Sequence, residues 1–232
     1  MQLTNIITIT ADLELLTGLR IGGGDTEMHI GGVDNSIIKH PITQEPYLPG
    51  SSIKGKIRSL LEWRSGAVKA APLGWKDYQQ AGTTQQSHVL HILQLFGLGG
   101  ADDLSDADAK KVGPSRLSFW DCSLNAEWAK AVTADNLPLT EVKSENRINR
   151  IAGTAEHPRQ TERIPAGAKF DFRLSLKQIT GDDEKLTDTL LAGLKLLELD
   201  SLGGSGSRGY GKIKFVNLKI NGEDISAKFD QV

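Results

Sequence analysis

The order of the periodic segments constrains this chain more than any other feature of its sequence. Ile7, Ile9, Ala11, Leu13 and Leu15 alternate with Thr8, Thr10, Asp12 and Glu14. Phe170, Phe172, Leu174 and Leu176 alternate in the same way with Lys169, Asp171, Arg173 and Ser175. A period of two buries one face of a strand. Each strand pattern has a helical one downstream. Ile53, Ile57, Leu60 and Leu61 make one apolar stripe, and Leu186, Leu190, Leu194 and Leu197 make another over 185–199. A short strand pattern over 116–122 puts Leu117 and Phe119 on one face. A closing one over 210–220 loses its alternation near Val216, which predicts a bulge. The sequence therefore reads strand, helix, strand, strand, helix, strand, which is the split βαβ, or ferredoxin-like, α+β arrangement.

That unit needs far fewer than 232 residues. The surplus lies in two excursions, 22–50 together with 66–115, and 123–168. The first contains a helix pattern from Ser87 to Phe96 closed by Gly97 and is otherwise irregular. Long connections in a compact domain are usually functional, so function is expected in the insertions of a single domain spanning 1–232. With 38% apolar residues, global disorder is excluded. Net charge is −2, so any polyanion site must be a local patch. One cysteine, Cys122, excludes intramolecular disulfides and multi-cysteine zinc sites and fits a reducing cytoplasm. No apolar run approaches a membrane span and no secretory signal opens the chain, so no membrane partner is expected.

Three segments could carry chemistry. The first is 203–211, with five glycines and Arg208, where backbone amides could turn outward to an anion. It follows a helix and precedes a strand, the reverse of the Rossmann and P-loop order, and it also reads as a plain connector. The second is Pro49-Gly50-Ser51-Ser52, a helix entry with Ser51 or Ser52 as N-cap. Lys54 and Arg58 follow on one face, within a stretch 54–69 of local net charge +4. Its bland reading is a solvated amphipathic helix. The third is 123–168, where Lys143, Arg147, Arg150, Arg159 and Arg163 interleave with Ile148, Ile151 and Ile164. Spaced arginines with apolar neighbours suit a protruding hairpin that contacts a backbone and wedges between bases. Acidic residues at 141, 145, 156 and 162 nearly cancel its charge, and a salt-bridged surface hairpin is the alternative.

Catalytic templates such as GxSxG and HExxH do not occur. His88 and His91 share a helix face with nothing to complete a metal set, and His40 and His157 stand beside prolines. The cluster Asp102, Asp103, Asp106 and Asp108 reads as a solvated loop face. Asp34, in Gly31-Gly32-Val33-Asp34-Asn35-Ser36, reads by pattern as a turn residue.

Longer stretches carry a family likeness. They are Thr17-Gly18-Leu19-Arg20-Ile21-Gly22-Gly23, Ile38-Lys39, Pro41-Ile42-Thr43 and Leu48-Pro49-Gly50-Ser51-Ser52-Ile53-Lys54-Gly55-Lys56. They continue with Thr140-Glu141-Val142-Lys143, Glu145-Asn146, Pro158-Arg159-Gln160, and Leu194 to Asp200 running into the 203–212 glycine loop. In this order, across nearly the whole chain, the text resembles the repeated backbone subunit of type III-A (Csm) CRISPR interference complexes, a member of the RAMP superfamily.

The resemblance implies a core like the RNA-recognition motif, with a helical lid at about 66–115 and a thumb β-hairpin at about 123–168. It implies copies stacked head-to-tail on a CRISPR RNA beside other Csm subunits in a prokaryotic cytoplasm, cutting single-stranded target RNA at regular intervals. By it, Asp34 falls at the acidic position needed for cutting, with Mg²⁺ or another divalent cation as cofactor. Asp34 is the one metal-ligand candidate, and a direct general-base role stays open. Lys54 and Arg58, beside Ser51 and Ser52, would contact guide backbone. Arg147, Arg150 and Arg159 of the thumb, and Gly203, Gly204, Gly206 and Arg208 of the loop, complete the expected RNA-binding set. Relatives commonly carry histidine where this chain has Arg20, so no role of that histidine is transferred. The alternatives are a non-catalytic RNA-binding backbone subunit and, from another class, a phosphate-ligand enzyme built on the glycine loop.

Overall fold

The computed structural model describes residues 1–23, 34–99 and 104–232. Four strands make the body of an antiparallel sheet: β1 (Leu3–Leu15), β2 (Leu117–Phe119), the hairpin-flanked β5 (Lys169–Ile179) and β6 (Ile213–Ile220). The two remaining long strands, β3 (Glu141–Ile148) and β4 (Ala155–Arg163), pair only with each other, and β7 (Glu223–Asp224) is a short edge. The sheet order is β2-β5-β1-β6-β7. The first and third strands of the core are therefore its centre, as the split βαβ arrangement requires.

Alternation decides which face is buried. Ile9, Leu13, Phe170 and Leu174 are fully buried on one side of the sheet, while Thr10, Asp12, Asp171 and Arg173 point to the other. Helices α1 (Gly50–Ser65) and α6 (Lys185–Leu199) cover the apolar face with the two stripes read from the sequence. Each buried leucine there contributes roughly 2 kcal/mol. The helices meet at Gly193, where an added Cβ would lie 2.7 Å from Ile57 Cγ2. Only a residue without a side chain allows that approach.

Several expectations change in detail. The N-cap of α1 is Pro49, not a serine, and the Asp121 carboxylate accepts the Gly50 N–H at 2.7 Å. Ser51 and Ser52 lie in the first turn, because extended Pro49 already supplies the non-helical dihedral that a cap needs. The irregular stretch 66–115 holds three helices: α2 (Trp75–Gln80), α3 (Thr83–Phe96) and α4 (Asp106–Val112). Asp106 and Asp108 are not in a loop but in the first turn of α4, capped by the Ser105 hydroxyl. Carboxylates there complement the helix dipole. Asp102, Asp103 and Gly31-Gly32 lie outside the described residues. The expected bulge is in β6, where Asp12 faces Val216 but Thr10 faces Lys219, and Asn217 takes φ 55°. One further helix, α5 (Ala126–Ala134), precedes the β3–β4 hairpin, and α7 (Ser226–Phe229) ends the chain.

Candidate nucleic-acid interface

The β3–β4 hairpin stands outside the main sheet and presents three of its four arginines to one cleft. Arg147, Arg150, Arg159 and Arg208 line a cleft of about 910 Å³ together with Glu145, Glu156, Ile148 and Ile151. Three of the arginines come from the hairpin and the fourth from the glycine loop, 45 or more positions away in sequence. All four are exposed, as is Asp34. Ile148 is half exposed and Ile151 fully so. A cationic groove with bare apolar side chains at its tip fits a single-stranded polyanion with stackable bases.

Acidic anchors, one of them buried, fix the root of the hairpin. Glu145 accepts from the Tyr210 hydroxyl and from Arg208 Nη1, both at 2.8 Å. The Tyr210 hydrogen bond, aided by Arg208 and Lys143, holds the Glu145 carboxyl below the usual carboxylate range. Glu162 is buried, which pushes its carboxyl up, but Lys39, the Ile37 N–H and the Thr140 hydroxyl outweigh that and leave it lowered. Arg163 pairs with Glu141 at 2.6 Å and lies over the Tyr210 ring. The near-cancellation of charge over 141–163 thus reflects real ion pairs. It was the one signal in the sequence for Glu145 and Glu162, whose partners sit too far along the chain to be guessed.

Asp34 joins this root. Asn35 bridges Thr161 in parallel, Asn35 O accepts the Glu162 N–H at 3.0 Å, and Asp34 Oδ2 accepts the Gln160 N–H at 2.9 Å. The Asp34 segment therefore lies against β4 through a single isolated bridge. One carboxylate oxygen is anchored and the side chain remains exposed. Among the described residues no group of three His, Cys, Asp or Glu side chains could hold a metal ion. A single exposed carboxylate still suits Mg²⁺, which dehydrates reluctantly and binds through one or two carboxylates plus phosphate oxygens and water.

The helix α1 residues behave differently from one another. Arg58 is spent inside the protein: Nε donates to Glu62 at 2.8 Å, Nη1 to Gly97 O and Nη2 to Leu73 O. Glu62 also accepts the Leu73 N–H. This arginine staples α1 to the end of α3 and to the loop before α2, because the i,i+4 carboxylate turns its fork inward. Lys54 is half-buried, and burial, Arg58 and Lys177 together hold its ammonium below the usual lysine range. Neither residue lines the hairpin cleft, and neither do Ser51 and Ser52.

The glycine loop is packed more closely than an open anion cradle. Gly204 N donates to Arg20 O, Gly211 N to Gly18 O and Gly209 N to Gly206 O. An added Cβ at Gly203 would sit 2.3 Å from Arg20 O, and at Gly211 only 1.9 Å from Leu202 O. Gly203 and Gly211 also take φ 74° and 71°. Close approach and left-handed backbone account for Gly203 and Gly211 without any ligand. Cys122 is buried and its thiol is pushed up to about 12, so it is no nucleophile.

Comparison with known proteins places the chain. The model of the RAMP superfamily matches residues 12–214. This chain belongs to that superfamily. Within it, the chain is 39% identical to a protein of Methanothermobacter thermautotrophicus named CRISPR system Cms endoribonuclease Csm3, over 91% of this chain and 84% of that one. It is 39% identical to the Mycobacterium tuberculosis protein of the same name, over 92% and 87%. The Streptococcus thermophilus protein of that name is 41% identical, over 92% and 88%. Among solved structures, a chain of the Csm3–Csm4 subcomplex of the type III-A CRISPR-Cas interference complex aligns with TM-score 0.57 and 26% identity, covering 100% of this chain and 98% of that one. Methanopyrus kandleri Csm3, at 21% identity, shares the fold with TM-score 0.58 over 94% and 78%. No helix among the described residues of this RAMP protein is long and apolar enough to cross a membrane.

Proposed function

We propose that this RAMP protein is a guide-RNA-binding filament subunit of a type III-A complex in the prokaryotic cytoplasm, and that it cuts complementary target RNA at regular intervals. One observation carries the reading: an exposed carboxylate, Asp34, is bonded to the root of an arginine-lined hairpin. The chain's near relatives being named endoribonucleases supports the activity. The helices of 66–115 are read as the lid and the hairpin of 141–163 as the thumb.

RNA supplies its own nucleophile, so no serine or cysteine is required. The 2′-oxygen bonds to the adjacent phosphorus, the bond from phosphorus to the 5′-oxygen breaks, and a proton leaves the first oxygen as one reaches the second. The protein must hold those atoms in line and stabilise charge at phosphorus. The thumb does the first, by splaying a nucleotide with Ile148 and Ile151 while Arg147, Arg150 and Arg159 hold the backbone. Asp34 would serve the second, as the residue that would hold a divalent cation near the phosphate. Such a cation, when bound, neutralises charge on the phosphoryl oxygens. As a general base, Asp34 would instead take the 2′-hydroxyl proton.

The test is Asp34→Asn in a reconstituted complex with guide and Mg²⁺. The amide keeps the oxygen that accepts from Gln160, so the loop keeps its shape. Cutting should stop while target affinity stays within about threefold of wild type. Cutting at the wild-type rate would make the subunit a non-catalytic backbone component. A phosphate enzyme built on the glycine loop is disfavoured by the inward-facing amides of Gly204, Gly209 and Gly211.

A further inference from the structure

We propose that Arg20 touches the substrate in the cleavage step: its guanidinium binds the scissile phosphate and carries part of the charge that builds there. The inference rests on the reading of Asp34 as the cleavage carboxylate.

Arg20 is held from two sides. Its carbonyl accepts the Gly204 N–H at 2.9 Å, and the neighbouring Ile21 carbonyl accepts the Ile38 N–H at 2.9 Å. The side chain is directed by Nη2, which donates to Asn35 Oδ1 at 3.0 Å. Asn35 is the residue next to Asp34, so the guanidinium stands beside the segment that carries the carboxylate.

The bonding of this arginine is incomplete. Its Nε is sealed from solvent and has no hydrogen-bond partner among the described residues. Three cations around the thumb root differ: Lys39 is paired with Glu162, Arg163 with Glu141 and Arg208 with Glu145. Among the described residues Arg20 has no carboxylate partner. A partly desolvated cation with no carboxylate partner is stabilised when an anion is placed against the part of it that solvent reaches. Asp34 is not that anion, since it directs Oδ2 to Gln160. A cation bonded to the residue next to Asp34 is placed to share a phosphodiester with that segment.

An arginine is also more than a clamp on Asn35 requires, since a neutral donor would hold an amide oxygen equally well. A planar fork that is always charged suits the two non-bridging oxygens of a phosphate. As the 2′-oxygen attacks, those oxygens gain negative charge, and a fixed guanidinium meets it. Arg20 takes part in neither proton transfer. The proton lost by the 2′-oxygen and the one gained by the 5′-oxygen are exchanged through Asp34 or water.

The experiment uses the reconstituted complex with guide, saturating target and Mg²⁺, and reads single-turnover cutting. Arg20→Ala should slow cutting by roughly 10²-fold, the usual loss for one donor to a developing oxyanion. Target affinity and cut spacing should stay unchanged, and free guanidinium ion should restore part of the rate. Arg20→Lys keeps charge without the fork and should fall between. It also serves if the alanine variant fails to assemble. Asn35→Ala removes the bond that aims the guanidinium, and its rate should fall between those of wild type and Arg20→Ala. The proposal is overturned if Arg20→Ala or Arg20→Lys cuts at the wild-type rate. It is equally overturned if Asn35→Ala reproduces the Arg20→Ala loss without guanidinium rescue, which would make Arg20 a clamp. Asp34→Asn in parallel separates the two readings. An inactive Asp34→Asn beside a fully active Arg20→Ala sinks only this inference, whereas an active Asp34→Asn sinks the reading beneath it.

Discussion

Lys39 and Glu162, 123 positions apart, form an ion pair at 2.5 Å in which the carboxylate is almost wholly buried. The same carboxylate accepts the Ile37 N–H and the Thr140 hydroxyl. One side chain thereby joins the segment that follows Asp34 to both legs of the hairpin. Glu162→Ala should leave Lys39 unpaired and cost about 2–3 kcal/mol. At roughly 2–4 °C per kcal/mol for a chain of this size, the melting temperature should fall by about 4–12 °C. The Glu162 carboxyl lies below its ordinary value in the fold. Its contribution is therefore complete above about pH 4.3, the unfolded value, and is lost as pH falls through the lowered one. Melting curves from pH 7 to pH 3 should show the wild-type and Glu162→Ala proteins converging only at the acid end.

Arg58 and Lys54, read from the sequence as a matched pair on one helix face, should separate by experiment. Arg58→Ala leaves Glu62 buried without its cation, and should cost about 3 kcal/mol with little change in RNA affinity once folded. Lys54→Ala should do the reverse. It should leave the melting temperature nearly unchanged and flatten the salt dependence of RNA binding by about 0.7 in log–log slope. Because Lys54 is lowered in the free protein, a phosphate against it would raise it again. Binding should then take up a proton at alkaline pH, an uptake absent in Lys54→Arg. An unchanged salt slope in Lys54→Ala would assign that helix to the lid junction alone.

The contrast shows what a sequence can reveal here. Period-two and 3.6-residue patterns record burial directly, so β1, β5, α1 and α6 were legible almost to their ends. The helices α2 and α4 were not, because six or seven residues are too few to establish a period. The site divides in the same way. The exposed arginines of the hairpin could be read as a group because they lie within one segment. The bonds that place Asp34 on Gln160, and Glu145 on Tyr210, join residues 126 and 65 positions apart, and no local pattern encodes such a meeting. Arg58 misled because its partners Leu73 and Gly97 belong to the helical stretch 66–115, whose course the sequence left open.

Tyr210 provides a direct readout of the thumb root. Its hydroxyl hydrogen bond is the largest influence lowering the Glu145 carboxyl. Tyr210→Phe should move that carboxyl back up toward the usual glutamate range, visible by following the side-chain carbon through a pH titration. The hydrogen bond to a charged acceptor should be worth about 1.5 kcal/mol at neutral pH. That margin is lost as pH falls through the lowered Glu145 value. An unmoved titration would mean that Arg208 and Lys143 alone hold the carboxylate.

The thumb itself can be removed, and the structure says where to cut. Residues 140–145 and 160–163 belong to the root, since Thr140, Glu145, Gln160 and Glu162 hold Asp34, Arg208 and Tyr210 in place. A deletion of 140–160 would take most of these with the tip, and loss of cutting would then have two causes. Removing 147–157 instead takes Arg147, Arg150, Ile148 and Ile151 and leaves every root contact. The Glu145–Arg159 pair stays as the last rung before the cut, and a short Gly/Ser link spans the roughly 5 Å between paired strands. This variant should melt within about 3 °C of wild type, because Ile148 and Ile151 are exposed and no core residue is lost. It should still assemble on guide RNA through the core. Without the apolar tip, target pairing should run through uninterrupted, and cutting should lose both its rate and its regular spacing. If the trimmed protein unfolds, the hairpin tip belongs to the core. If it still cuts at regular intervals, the spacing arises elsewhere and the wedge role of Ile148 and Ile151 is refuted.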